Sequence, residues 1–104
     1  MPHVSRFRFP KSEVDRLSQK VVDAALVIRS KKELAEFFDD LLTSTEKVML
    51  GKRLLIVMFL ERGYTYREIS RALKVGETTI AAVSEKLQQR GDGFRVAVKN
   101  LERQ

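Results

Sequence analysis

A chain of 104 residues, 43% of them apolar, has material for one hydrophobic core and too little for two ordinary domains, so residues 1–104 read as a single domain. The absence of cysteine excludes a disulfide framework and a thiolate metal site, and the lone His3 cannot build a zinc site, so neither a metal nor another cofactor is expected. A net charge of +6 and a pI near 9.9 suit a polyanionic partner, although many small proteins are basic without one.

Residues 1–10 read as an N-terminal arm in which arginine alternates with phenylalanine, ended by Pro10, which cannot be joined helically to what precedes it. A frayed or extended segment packing Phe7 and Phe9 is the plainer reading; Arg6 and Arg8 also suit an arm that grips nucleic acid. Nothing there resembles a signal peptide, and the expectation is a cytoplasmic protein.

Four segments then open with Ser or Thr followed three residues later by an acid: Ser12 with Asp15, Ser30 with Glu33, Thr43 with Glu46, and Thr65 with Glu68. Such pairs satisfy backbone N–H groups that helix geometry leaves without partners, so at least four helices are predicted. Val14, Leu17, Val21, Ala24 and Ile28 make an apolar stripe at helical spacing on the first, and Leu34, Phe37, Phe38 and Leu41 on the second. The third, from about Ser44 to Arg62, is apolar on nearly every side through LLIVMFL (Leu54 to Leu60) and should end at Gly63. That run falls far short of the roughly 20 residues that span a bilayer, so it reads as a buried central helix and no membrane contact is expected. Gly91 and Gly93 close the last strong helix. The segment 92–104, with FRVAVKNLERQ, fits a short helix or a strand and is read here as a helix.

The stretch 65–88 has the spacing of a helix-turn-helix. Ile69, Leu73, Val75, Ile80 and Val83 supply the apolar positions that pin two short helices at an angle, and Ser70 supplies the small residue at their crossing. Gly76 opens the second helix and Leu87 continues its buried edge. Lys74 stands in the turn where glycine is common, because the backbone there tends toward positive φ. Helical hairpins in bundles that never meet DNA share this spacing.

Residues from about Glu36 to Leu87, half the chain, resemble the Trp repressor family. The segments EFFDDLLT, LGKRLLIV and ERGYTYREI look especially like its YerC/YecD branch. The resemblance implies an all-α, Trp-repressor-like helical bundle in which two chains interlock through their N-terminal and central helices and present two helix-turn-helix units to operator DNA. The nearly all-apolar third helix agrees, being easier to bury in a two-chain core than in one chain of this size. By position, Arg67 matches an arginine that contacts a base in the family, and Glu77, Thr78 and Ala81 match recognition-helix positions, of which only Arg67 is the same residue. In the family's tryptophan pocket, Leu42, Thr43 and Arg53 match the walls and one of two arginines. Ala82 stands at the second arginine and Val83 at the neighbouring glycine. Loss of a guanidinium removes a charge-assisted partner for the amino acid's carboxylate, and valine narrows the space for a ring, so tryptophan is not expected as corepressor.

If Ile80, Val83 and Leu87 face inward, helical geometry turns Glu77, Thr78, Ala81, Ala82 and Glu85 outward, and Ser84 beside Glu85 reads as helix surface. Small groups let such a helix approach base edges, where threonine or alanine methyls meet thymine methyls and Glu77 accepts from a cytosine amine. Phosphates must then be held by Arg67, Arg71, Lys74, Lys86 and Arg90 around it. The reading is a homodimeric, sequence-specific regulator of transcription, taken as a repressor, that binds double-stranded DNA. The rival is a helical dimeric interaction module that has lost specific DNA reading and contacts a protein through its outward alanines and Tyr64 or Tyr66. An enzyme has little support: no paired carboxylates, nucleophile with base, or phosphate loop occur at a usable spacing.

Overall fold

The computed structural model describes residues 9–103. Among the described residues the secondary structure is six helices and no strand: α1 (Lys11–Leu26), α2 (Lys31–Leu41), α3 (Ser44–Glu61), α4 (Tyr66–Leu73), α5 (Glu77–Gln89) and α6 (Asp92–Glu102). The all-α expectation holds, and the segment after Gly91 is a helix. None of these helices is long and apolar enough to cross a membrane. Residues 1–8 of the arm, with Arg6, Phe7 and Arg8, lie outside the described residues, and Phe9, expected to pack, is exposed. The helices divide into two compact units between Leu41 and Leu42.

The first unit holds α1 and α2. Ser30 accepts a hydrogen bond from the Glu33 amide at 3.1 Å, as the cap pattern predicts. Ser12 does not cap: α1 begins at Lys11, with Pro10 at the capping position and its carbonyl accepting from the Glu13 and Val14 amides. Proline's fixed φ and extended ψ already provide a non-helical entry, which places Ser12 inside the first turn. Neither helix has a buried residue, and Val14, Leu17 and Val21 of the apolar stripe stay exposed.

The second unit packs α3 to α6 around Ile56 and Val57 of α3, Ile69 of α4, Ile80, Val83 and Leu87 of α5, and Val98 of α6. Complete capping boxes open α3 and α4: Thr43 accepts from the Glu46 amide at 3.1 Å while Glu46 accepts from the Thr43 amide at 2.8 Å, and Thr65 and Glu68 repeat the exchange. The end of α3 is a Schellman turn. Gly63, at φ +84°, donates to the Leu60 carbonyl, Tyr64 donates to the Phe59 carbonyl, and the Tyr64 ring stacks on Phe59 with centroids 5.0 Å apart. That is the apolar contact such turns carry, and it gives Tyr64 a packing role. The burial of α3 is uneven: Ile56 and Val57 are fully enclosed, whereas Val48, Met49, Leu50 and Leu55 are exposed in the single chain.

Candidate nucleic-acid interface

Three residues, Lys74, Val75 and Gly76, join α4 to α5. The chain reverses at Lys74, which adopts φ 55° and ψ 51°, the left-handed conformation expected for that position of the turn. Two side chains fasten this turn. Ser70 donates from Oγ to the Val75 carbonyl at 2.6 Å, and Lys52 of α3 donates from Nζ to the Lys74 carbonyl at 3.4 Å. Ser70 is thus more than a small residue at a crossing. It satisfies a carbonyl that the turn would otherwise leave open.

From there Gly76 caps α5 with its carbonyl, accepting from the Thr79 and Ile80 amides. Ile80, Val83 and Leu87 face the core as predicted, with Leu73 and Val75 packed against it. Ser84 is buried, contrary to its reading as surface. It stands four residues after Ile80 and three before Leu87, which puts it on their face of the helix.

All nine residues singled out by the sequence are exposed: Arg67 and Arg71 on α4, Lys74 and Gly76 in the turn, and Glu77, Thr78, Ala81, Ala82 and Lys86 on α5. Arg67 and Arg71, one turn apart, share a face of α4. No ion pair is found for Arg67, Arg71, Lys74 or Lys86 among the described residues, so no carboxylate offsets their charge at contact distance. Glu77 lies in the first turn of α5, where the helix dipole favours a negative charge.

The structure gathers some of these residues in a cleft and leaves others apart. Thr78, Ala82 and Lys86 line an open cleft of about 530 Å³ with Arg53, Thr79, Val83 and Phe94. Gly76 lines a second, of about 390 Å³, with Val48, Met49, Lys52, Arg53, Val75 and Thr79. Arg67, Arg71, Lys74, Glu77 and Ala81 line neither. Sequence reasoning missed Lys52, Thr79 and Phe94. No local pattern marks Lys52, whose target lies 22 residues away.

Comparison with known proteins decides the family. The model of the family described as Trp repressor protein matches residues 16–102, which runs through both compact units. The chain belongs to the Trp repressor family. It is 29% identical over 93 residues to the uncharacterized protein YerC of Bacillus subtilis (strain 168), covering 86% of this chain and 89% of YerC. It also superposes, with a TM-score of 0.73 and 27% identity, on the crystal structure of a provisionally assigned Trp repressor from Staphylococcus aureus, covering 98% of this chain and 96% of that one. The Trp repressor family is one of regulatory DNA-binding proteins. Of the positions carried over from its tryptophan pocket, Arg53, Ala82 and Val83 meet in the larger cleft, whereas Leu42 and Thr43 do not line it. Thr43 is instead occupied in capping α3.

Proposed function

We propose that this member of the Trp repressor family is a homodimeric, sequence-specific transcriptional regulator, a repressor, that inserts α5 into the major groove of double-stranded DNA and does not respond to tryptophan. The observation that carries the reading is the outer face of α5. Small or hydrogen-bonding groups at Thr78, Ala81 and Ala82, with Glu77 at its start, are exposed over a fully enclosed Ile80, while the exposed cations Arg67 and Arg71 stand on α4, Lys74 in the turn and Lys86 farther along α5. Small groups on one helix face with cations on the adjoining elements have the division of labour that separates base reading from phosphate holding. Arg67 and Thr78 are the proposed base-reading pair, and Arg71, Lys74 and Lys86 the proposed phosphate contacts. The exposed apolar side chains Val48, Met49, Leu50 and Leu55 favour a second copy as the partner that completes the core.

The test is selection from random-sequence duplex DNA at two salt concentrations, comparing the protein with an Arg67→Ala, Thr78→Ala double variant. The expected result is an enriched sequence with twofold symmetry that the variant fails to recover. Weak, salt-sensitive binding with no enriched sequence, equal in both proteins, would overturn the reading and turn the search toward a protein partner.

A further inference from the structure

The start of α5 is held by Ser70 and Lys52 through the turn, as described above. At its other end, where Leu87 packs into the core, the last carbonyls are met by a side chain of α6. Arg95, on α6, donates from Nη2 to the Leu87 carbonyl at 2.8 Å and from Nη1 to the Arg90 carbonyl at 2.9 Å. Both acceptors belong to the last turn and cap of α5, where carbonyls have no partner within the helix and the dipole is negative. A guanidinium presents two donors in a fixed fork and a permanent positive charge, which suits both conditions.

Gly91 makes the fork possible. It sits at φ +71°, and a Cβ there would lie 2.6 Å from the Leu87 oxygen, the same atom that receives Arg95. The Arg95 amide donates to the Gly91 carbonyl at 3.0 Å, the first hydrogen bond of α6, so the backbone of Arg95 is fixed in α6 while its side chain reaches back to α5. The α6 helix is itself anchored on α3 by the buried Val98 and by an ion pair between Arg62 and Glu102 at 3.3 Å.

We infer that Arg95 is a positioning residue for DNA reading: by capping the C-terminal end of α5 from α6, it fixes the angle at which α5 presents Thr78 and Ala81 to base edges. This rests on the proposed function of α5. With the start of α5 held in the turn, a tilt of about 5° moves the Arg95-capped end of this 13-residue helix, roughly 20 Å long, by nearly 2 Å and Ala81, about 6 Å from the start, by roughly 0.5 Å. Productive contacts are held to within about 0.5 Å, so a shift of that size at Ala81 is enough to weaken base-edge hydrogen bonds.

The test uses the full chain as wild type, Arg95→Lys and Arg95→Ala, each shown to be folded by circular dichroism at the working temperature. It measures affinity for the sequence selected by the wild type and for a random duplex, and amide hydrogen exchange along Leu87 to Gly91. Lysine keeps the charge but not the fork. Both variants should therefore lose about tenfold in the ratio of selected to random affinity, with faster exchange in the last turn of α5. In Arg95→Lys the random-duplex affinity and its salt dependence should stay unchanged. An Arg95→Lys protein that keeps the wild-type ratio, or unaltered exchange in both variants, would overturn the inference while leaving the DNA reading intact. So would an Arg95→Ala protein that weakens on both duplexes equally with a shallower salt dependence, since Arg95 would then be a phosphate contact. A wild type that enriches no sequence would instead overturn the DNA reading, and the specificity role with it.

Discussion

Lys74 places a side chain where the backbone is left-handed, a conformation that costs an L-residue roughly 1–2 kcal/mol. Retaining a lysine there fits a residue whose charge is used. Lys74→Gly should raise stability by about 0.5–1 kcal/mol, the strain relieved being partly offset by greater freedom of the unfolded chain. On the proposed function it should also lower DNA affinity and reduce the salt slope by about one. Urea unfolding and a salt titration of duplex binding check the two halves. A rise in stability with unchanged DNA affinity would remove Lys74 from the phosphate contacts.

Ala82 and Val83 bear on the small-molecule question at the same scale. The cleft they line holds Arg53 as its one guanidinium, and Lys86 adds a point charge that does not reproduce a planar fork for a carboxylate. Calorimetric titration with tryptophan should show no binding in the micromolar range. Micromolar binding would show that Lys86 does take the place of the second arginine.

At the scale of elements, α3 and α4 are each opened by a reciprocal threonine and glutamate exchange. Hydrogen bonds from Thr43 to Glu46, and from Thr65 to Glu68, hold both carboxyls below their ordinary value of 4.5, outweighing a small opposing effect of desolvation. The sign follows from linkage. Because the folded-state pKa is the lower one, the contribution is complete above the unfolded value and is lost as pH falls through the folded value. Wild-type melting temperature should therefore drop between about pH 5 and pH 3 more steeply than that of a Glu46→Gln, Glu68→Gln protein. Parallel curves would show that the boxes carry no pH-dependent stability. The last helix was the element least legible in the sequence, because FRVAVKNLERQ is too short to separate helical from strand periodicity by pattern alone. Packing of Val98 into the core supplies what the pattern lacks.

At the scale of the whole molecule, the apolar residues left exposed are the informative ones. Val14, Leu17 and Val21 on α1, Leu26 at its end, and Val48, Met49 and Leu50 on α3 are all exposed, Leu26 to 77%. Burying such side chains is worth about 1.5–3 kcal/mol each. A homodimer that covers them should melt at a temperature that rises with protein concentration. A charge placed among them, as in Leu17→Glu or Leu50→Glu, should shift the sedimentation coefficient toward that of one chain. A melting temperature independent of concentration, with a monomer in the ultracentrifuge, would contradict the dimer.

What the sequence by itself determined is what lies within one helical turn. The caps at Ser30, Thr43 and Thr65 and the inward row Ile80, Val83, Leu87 arise from residues three or four positions apart, and the stop at Gly63 and the left-handed turn at Lys74 from single positions at helix ends. The exposure of Arg67, Glu77, Thr78 and Ala81 follows from the same periodicity. Only the tertiary structure decided which surfaces meet across long separations: Lys52 on the Lys74 carbonyl, the cleft that joins Arg53 to Lys86 and Phe94, and the anchoring of α6 by Arg62 and Glu102, 40 residues apart. The Arg95 clamp spans only eight residues, yet it forms because Gly91 reverses the chain and leaves the Leu87 carbonyl accessible. Such contacts depend on how helices are brought together, and no periodicity within a single helix records that.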